Sequence, residues 1–196
     1  MSRQILALLP SFVCLLGGAT MEQRLSPAEG NRFEVILEKT GLMKGKKHLF
    51  VFERYQGKLF HDPEKPEASQ VQFSLESNSI ACKDDWVSAK DLKKIMQTAL
   101  KDMLAADRYA TVSYKSNGVR RAGPNQFDVT GTLRIRNVEK PATVRVTLKA
   151  GEAGRAHFEG NAVVRMTDFG LKPPSAALGL IGTKDEMTVS FHLRAE

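Results

Sequence analysis

The residues of this chain best equipped for chemistry are four histidines, two cysteines and an Asp-Phe-Gly triplet. His48, His61, His157 and His192 are scattered, and no two stand four residues apart. The helical i, i+4 pair of a zinc hydrolase is therefore missing, and each histidine is expected at the surface rather than on a metal. His61-Asp62 with a nearby serine outlines a hydrolase triad. However, no G-x-S-x-G turn is present to lift a serine nucleophile out of a strand. Asp168-Phe169-Gly170 spells the metal-binding triplet of protein kinases, without the Gly-rich loop or the His-Arg-Asp segment such an enzyme needs. Asp168 and Gly170 suit a turn at a strand end instead. Arg165 is expected to pair with Asp168, the alternative being contact with an anionic head group. Cys14 falls in a leader-like segment, so a mature chain keeps only Cys82, too few thiols for an intramolecular disulfide or for a four-cysteine zinc site. No catalytic residue, metal or cofactor is expected.

What must position any site is a set of strands. Apolar residues make up 42% of 196, enough for a core, and the 26% of charged residues fits a globular domain. Residues 1–19 combine Arg3, the apolar run Ile5–Leu16 and the small residues Gly17, Gly18 and Ala19, the pattern of a signal peptide cleaved after Ala19. The protein is thus expected in the periplasm or secreted, or in the cytoplasm if translation starts at Met21. Residues 20–31 are polar, with Pro27 and Gly30, and read as a disordered entry segment. From residue 32 to 196 a two-residue period dominates. Phe33, Val35 and Leu37 alternate with polar neighbours, as do Val71, Phe73 and Leu75, then Phe127, Val129, Leu133 and Ile135, then Val144, Val146 and Leu148, then Phe158, Ala162, Val164 and Met166, and finally Met187, Val189, Phe191 and Leu193. His48–Tyr55 is apolar on both faces. Asn117-Gly118 and Gly123-Pro124 read as turns.

Only Ser88–Ala106 breaks this period. Leu92, Ile95, Met96, Ala99, Leu100, Met103 and Leu104 form one helical face, capped by Ser88 with Asp91 three residues on. The fold class is therefore all-β in the main: an antiparallel barrel of about eight strands with one amphipathic helix. Spacing alone favours a packed core, although a barrel of this size can also hold one small ligand.

The net charge of +7 favours anionic partners. Arg134, Arg136, Arg145 and Lys149 share the polar phase of neighbouring strands and are expected as an external patch, either simply solvated or attracting an anionic membrane or a pyrophosphate head group. Aromatics lie on the opposite phase, which argues against nucleic acid.

Phe127-Asp128-Val129-Thr130-Gly131-Thr132-Leu133-Arg134-Ile135-Arg136, followed by Val138-Glu139-Lys140-Pro141, resembles a conserved stretch of the YceI-like family. Arg165-Met166-Thr167-Asp168-Phe169-Gly170 and Tyr109–Ser116 resemble two further segments of it, over about residues 32–196. The family's Arg-Asp…His-Leu segment is replaced by Lys83–Val87 and the helix. The resemblance implies a lipocalin-like barrel, often exported, that carries a polyisoprenoid or another long amphiphile and is not an enzyme. The expected lipid contacts are Phe50, Phe52, Phe73, Leu75, Phe127, Val129, Leu133, Phe158, Val164 and Phe191. The alternatives are a barrel enzyme for an apolar substrate, which needs two convergent polar groups in the lumen, and a binding module with a filled core.

Overall fold

Alternating side chains let each strand show one face to water and one to the interior, and in this chain the sheet curls around its inward face. The structure is a computed structural model that describes residues 21–149 and 155–196. The signal-peptide reading of residues 1–19, with Cys14, lies outside the described residues. Eleven strands are present among the described residues: β1 (Met21–Leu25), β2 (Arg32–Gly41), β3 (Lys47–Phe52), β4 (Tyr55–His61), β5 (Gln70–Glu76), β6 (Ile80–Cys82), β7 (Thr111–Gly123), β8 (Gln126–Ile135), β9 (Val138–Lys149), β10 (His157–Arg165) and β11 (Ile181–Arg194). They form one antiparallel sheet in the order β1-β4-β5-β7-β8-β9-β10-β11-β2-β3-β6.

The two ends of that order are parts of one bent ribbon. β3 runs into β4 through Glu53 and Arg54, and β5 runs into β6 through residues 77–79. The bend is pinned by Glu53 N–H donating to the Ser79 carbonyl (3.1 Å) and Glu76 N–H to the Arg54 carbonyl (3.0 Å). The β3 half of the ribbon pairs with β2 and the β5 half with β7, so the sheet curls back on itself. Curling of this kind leaves few free edges.

The strand count exceeds the expected eight partly because β1 occupies the stretch read as a disordered entry. Met21–Leu25 pairs along β4, and Arg24 exchanges backbone hydrogen bonds with Glu196 at 2.9 Å each. Leu25 is 1% exposed. Asn117-Gly118 is not a turn either. β7 passes straight through it with a bulge between Ser116 and Gly118 opposite β8, an insertion that bends a strand without ending it. The Gly123-Pro124 turn is present, joining β7 to β8.

Helix α1 (Ala89–Gln97) starts where expected, with the Ser88 hydroxyl accepting from Asp91 N–H. It then widens into a π-helical turn, Thr98–Met103, in which Leu104 N–H reaches back to the Ala99 carbonyl (2.9 Å). Ala105, at φ 46°, ends it. Widening keeps Ala99 and Met103 against the barrel core, and such π turns are short and local.

Candidate functional site

Side chains on the inward phase do not fill the interior. They surround a cavity of about 650 Å³, within the usual range for a ligand pocket. All ten of the residues expected to face a lipid line it: Phe50, Phe52, Phe73, Leu75, Phe127, Val129, Leu133, Phe158, Val164 and Phe191. Sequence reasoning passed over several others. Ile95, Ala99, Met103 and Leu104 of the helical segment also form wall, and so do Lys39, His48, His61 and Trp86.

Aromatic rings form the central wall. Phe33 stacks on Phe73 (5.3 Å between centroids) and on Phe191 (5.9 Å), and meets Phe52 edge-on at 6.2 Å. Gly57 and Gly160 let two of these rings lie against backbone. A Cβ at Gly160 would stand 2.2 Å from the Phe191 ring, and one at Gly57 would stand 2.6 Å from Phe73.

Polar groups gather at two ends. At one, His61 Nδ1 lies 3.2 Å from Ser69 Oγ. This brings together two members of the triad drawn from sequence. The third is engaged elsewhere: Asp62 Oδ1 accepts the Glu64 and Lys65 backbone N–H groups at 3.0 Å each. At the other end, His48 Nδ1 meets Asp84 Oδ2 at 2.5 Å, and Asp84 Oδ1 accepts Leu49 N–H at 2.8 Å. The His48 ring stacks on Trp86 at 5.3 Å, and Trp86 Nε1 donates to the Lys47 carbonyl. Cys82 stands close by, with its ligand atom and those of His48 and Asp84 within 4.8 Å of one another. Both Asp84 oxygens already have partners, and burial pushes the Cys82 thiol up to about 11, so it stays protonated at neutral pH. The trio acts as a clamp that carries the β3–β6 ladder one step past Cys82.

Two of the four histidines thus contradict the expected surface placement. His48 and His61 are buried, because each sits on the inward phase of its strand. His157 and His192 lie 3.1 Å apart by their Nε2 atoms.

Burial lowers His61 from its ordinary 6.5, against the opposing pull of Asp62. The unfolded imidazole therefore takes up a proton at a higher pH than the folded one. The stability held in neutral His61 is full above 6.5 and is lost as pH falls through that value toward the folded pKa. His157 is lowered as well, first by burial and then by the nearby His192 charge, and adds in the same direction. The urea midpoint is expected to fall between about pH 7.5 and about pH 5.5, and to fall less in H61Q. An H61Q slope equal to wild type would assign the loss elsewhere.

The expected Arg165–Asp168 pair does not form. Arg165 Nε donates to Asp185 Oδ2 (3.1 Å) on β11, and Asp185 also accepts the Thr167 N–H and hydroxyl. The turn reading holds, with a 3₁₀ turn at Thr167–Phe169 closed by Gly170 at φ 68°. Of the four residues of the basic external patch, Arg145 and Lys149 have acidic partners, while Arg134 and Arg136 donate to backbone carbonyls. Arg145 and Arg120 both pair with the buried Asp128, Lys149 lies 3.2 Å from Glu159, and Arg136 donates to the Asp102 carbonyl.

Comparison with known proteins agrees with this geometry. The YceI-like domain model matches residues 34–195. A UPF0312 protein of Azotobacter vinelandii is 31% identical over 140 residues, covering 66% of this chain and 69% of the relative. A UPF0312 protein of Pseudomonas putida strain W619 is 30% identical over 132 residues, covering 64% of each. Among solved structures, Burkholderia cenocepacia BcnA superposes with a TM-score of 0.67 at 23% identity, over 84% of this chain and 96% of that one. A polyisoprenoid binding domain from Saccharophagus degradans, implicated in plant cell wall breakdown, gives 0.62 at 12% identity, over 88% and 97%. At those identities the two structures speak to the fold alone, an antiparallel barrel with one helix. The family model spans most of the chain and includes nearly all of the cavity wall, and on that ground the protein belongs to the YceI-like domain family.

Proposed function

We propose that this protein is a carrier for a long-chain amphiphilic lipid, of polyisoprenoid type, held inside the barrel, and that it works outside the cytoplasm, in the periplasm or as a secreted protein. One observation carries the reading: an interior of about 650 Å³ walled by aromatic and aliphatic side chains. Each methylene buried there is worth ~0.8 kcal/mol, so a long chain binds tightly with few polar contacts. The polyisoprenoid-binding character of the Saccharophagus degradans domain of the same fold supports the same choice. The polar wall groups are divided between the two ends, and the His61–Ser69 pair lacks an orienting acid, so binding without chemistry is the reading the geometry favours. The test is to purify the chain without detergent, extract it with organic solvent and identify the extract by mass spectrometry. A stoichiometric long-chain amphiphile supports the proposal. An empty extract, together with no uptake of added polyprenol, removes it.

The rim of the cavity supports contact with an anionic membrane, from which such a ligand is collected. Leu42, Leu178 and Leu180 are exposed at 75%, 105% and 60%. Leu42 N–H donates to the Leu180 carbonyl (3.0 Å), which puts the β2–β3 turn beside the loop before β11. Met43 and Ala176, from the same two segments, line the cavity, and Lys44 and Lys46 are exposed on the turn. Exposed leucines beside lysines suit an anionic bilayer surface. The double substitution L178D/L180D is expected to lower co-sedimentation with phosphatidylglycerol vesicles roughly tenfold or more. Unchanged sedimentation would place membrane contact elsewhere.

A further inference from the structure

The wall of the lumen changes character at one strand end. On β2 the inward phase runs Phe33, Val35, Leu37 and then Lys39, and all four line the cavity. Among the described residues, three with a formal charge share that wall: Lys39, Asp91 and Lys94. Asp91 and Lys94 answer each other at 3.7 Å, with side chains 58% and 68% exposed at the rim. Glu38, the acid next to Lys39, points the other way and pairs with Lys47 and Lys184. Asp84 is near enough to be felt by Lys39, but its oxygens are engaged by His48 and Leu49 N–H. Among the described residues, Lys39 is thus the charge on the wall that has no bonded partner.

An ammonium in that position is costly. Burial lowers the Lys39 pKa from its ordinary 10.5, with Asp84 opposing only in second place. Lys39 is half-buried, a charge withdrawn from water gains from pairing, and a ligand can supply the pairing. The opposite end of the lumen makes no such demand, since His61 and Ser69 satisfy each other there.

We propose that Lys39 is the counter-charge for the ligand's head group, so that the lumen selects single-chain amphiphiles with an acidic oxyanion head, a phosphate ester or a carboxylate. This rests on the carrier reading and adds a direction to it. The head lies at Lys39 beside His48 and Trp86, and the tail runs past Leu37 toward the Phe33 rings. Trp86 is the one tryptophan in the chain, which makes its fluorescence a local reporter at the head-group end.

The test compares farnesyl phosphate with farnesol, and laurate with dodecanol, by Trp86 fluorescence on wild type, K39M and K39R. Wild type is expected to favour the acidic member of a pair by about tenfold or more, the scale of a charge-assisted hydrogen bond out of water. In K39M the ratio of the two affinities falls toward one, and in K39R it survives. Preference within the farnesyl pair alone identifies a phosphate head, and preference in both pairs identifies any single-chain oxyanion. Thermal melts check the fold, and K39Q replaces K39M if the latter does not fold. A wild-type ratio near one with both members bound, or a K39M ratio equal to wild type, overturns the head-group assignment and leaves the carrier reading intact. Failure of all four ligands to bind overturns the carrier reading and this assignment with it.

Discussion

Replacing Ala162 with tryptophan is expected to weaken binding of a fifteen-carbon or longer chain by about a hundredfold, with the barrel still folded. Ala162 lies on the inward phase of β10, paired with Val189 across the β10–β11 ladder, and both line the cavity. An indole there has the lumen in front of it, which limits the usual cost of overpacking. It does remove room for roughly four methylenes, which at ~0.8 kcal/mol each is about 3 kcal/mol of lost burial. Titration calorimetry reads the affinity, and far-UV circular dichroism checks the fold. Unchanged affinity would mean that the chain lies somewhere other than the lumen.

The second large effect concerns the wall itself. Phe33 touches more rings than any of its neighbours in the aromatic cluster: Phe52, Tyr55, Phe73 and Phe191, at 5.3 to 6.5 Å between centroids. These contacts tie β2 to the bent β3–β4 ribbon, to β5 and to β11, and they span the place where the sheet curls back. Phe33→Ala is expected to cost about 3 kcal/mol, the lower end for deleting a buried phenyl, because the site opens onto an existing cavity and not onto a sealed core. The urea midpoint with an unchanged m-value measures it. The same change lengthens the lumen, so the variant should accept a longer chain than wild type. A loss below about 0.5 kcal/mol would mean that the rings line the lumen without holding it together.

Most of the fold was legible because a barrel repeats one simple rule. Phe127, Val129 and Leu133, or Phe158, Ala162 and Val164, each keep a two-residue phase, and that phase is the inside of the sheet. The helix was legible through its own period and its Ser88 cap. What escaped had a weak local signal or none. β1 has one buried apolar residue, Leu25, and buries Gln23 beside it, whose amide oxygen accepts Ala156 N–H from 133 residues away. Nothing near Gln23 in sequence announces that partner. Asn117-Gly118 carries turn chemistry, yet the ladder with β8 overrides it and turns the pair into a bulge. Arg165 found Asp185, twenty residues away, in preference to Asp168.

The polar end of the site was legible in principle. His48 shares the phase of Phe50 and Phe52, and Lys39 continues that of Phe33, Val35 and Leu37. Reading the phase through the polar residues, and not only through the apolar ones, places both inside the barrel. Their pairing state was not legible, because Asp84 reaches His48 across the sheet from 36 residues away.

The central claim is that an apolar chain occupies the barrel, and the dependence of affinity on chain length tests it most directly. At interior-like packing, about 650 Å³ accommodates roughly twenty carbons. Calorimetry with prenyl phosphates of five, ten, fifteen, twenty and thirty-five carbons should show affinity rising steeply with each added isoprene unit and levelling off near about twenty carbons. Affinity that does not change with chain length, or that stops rising after the first unit, would contradict a chain-filled lumen.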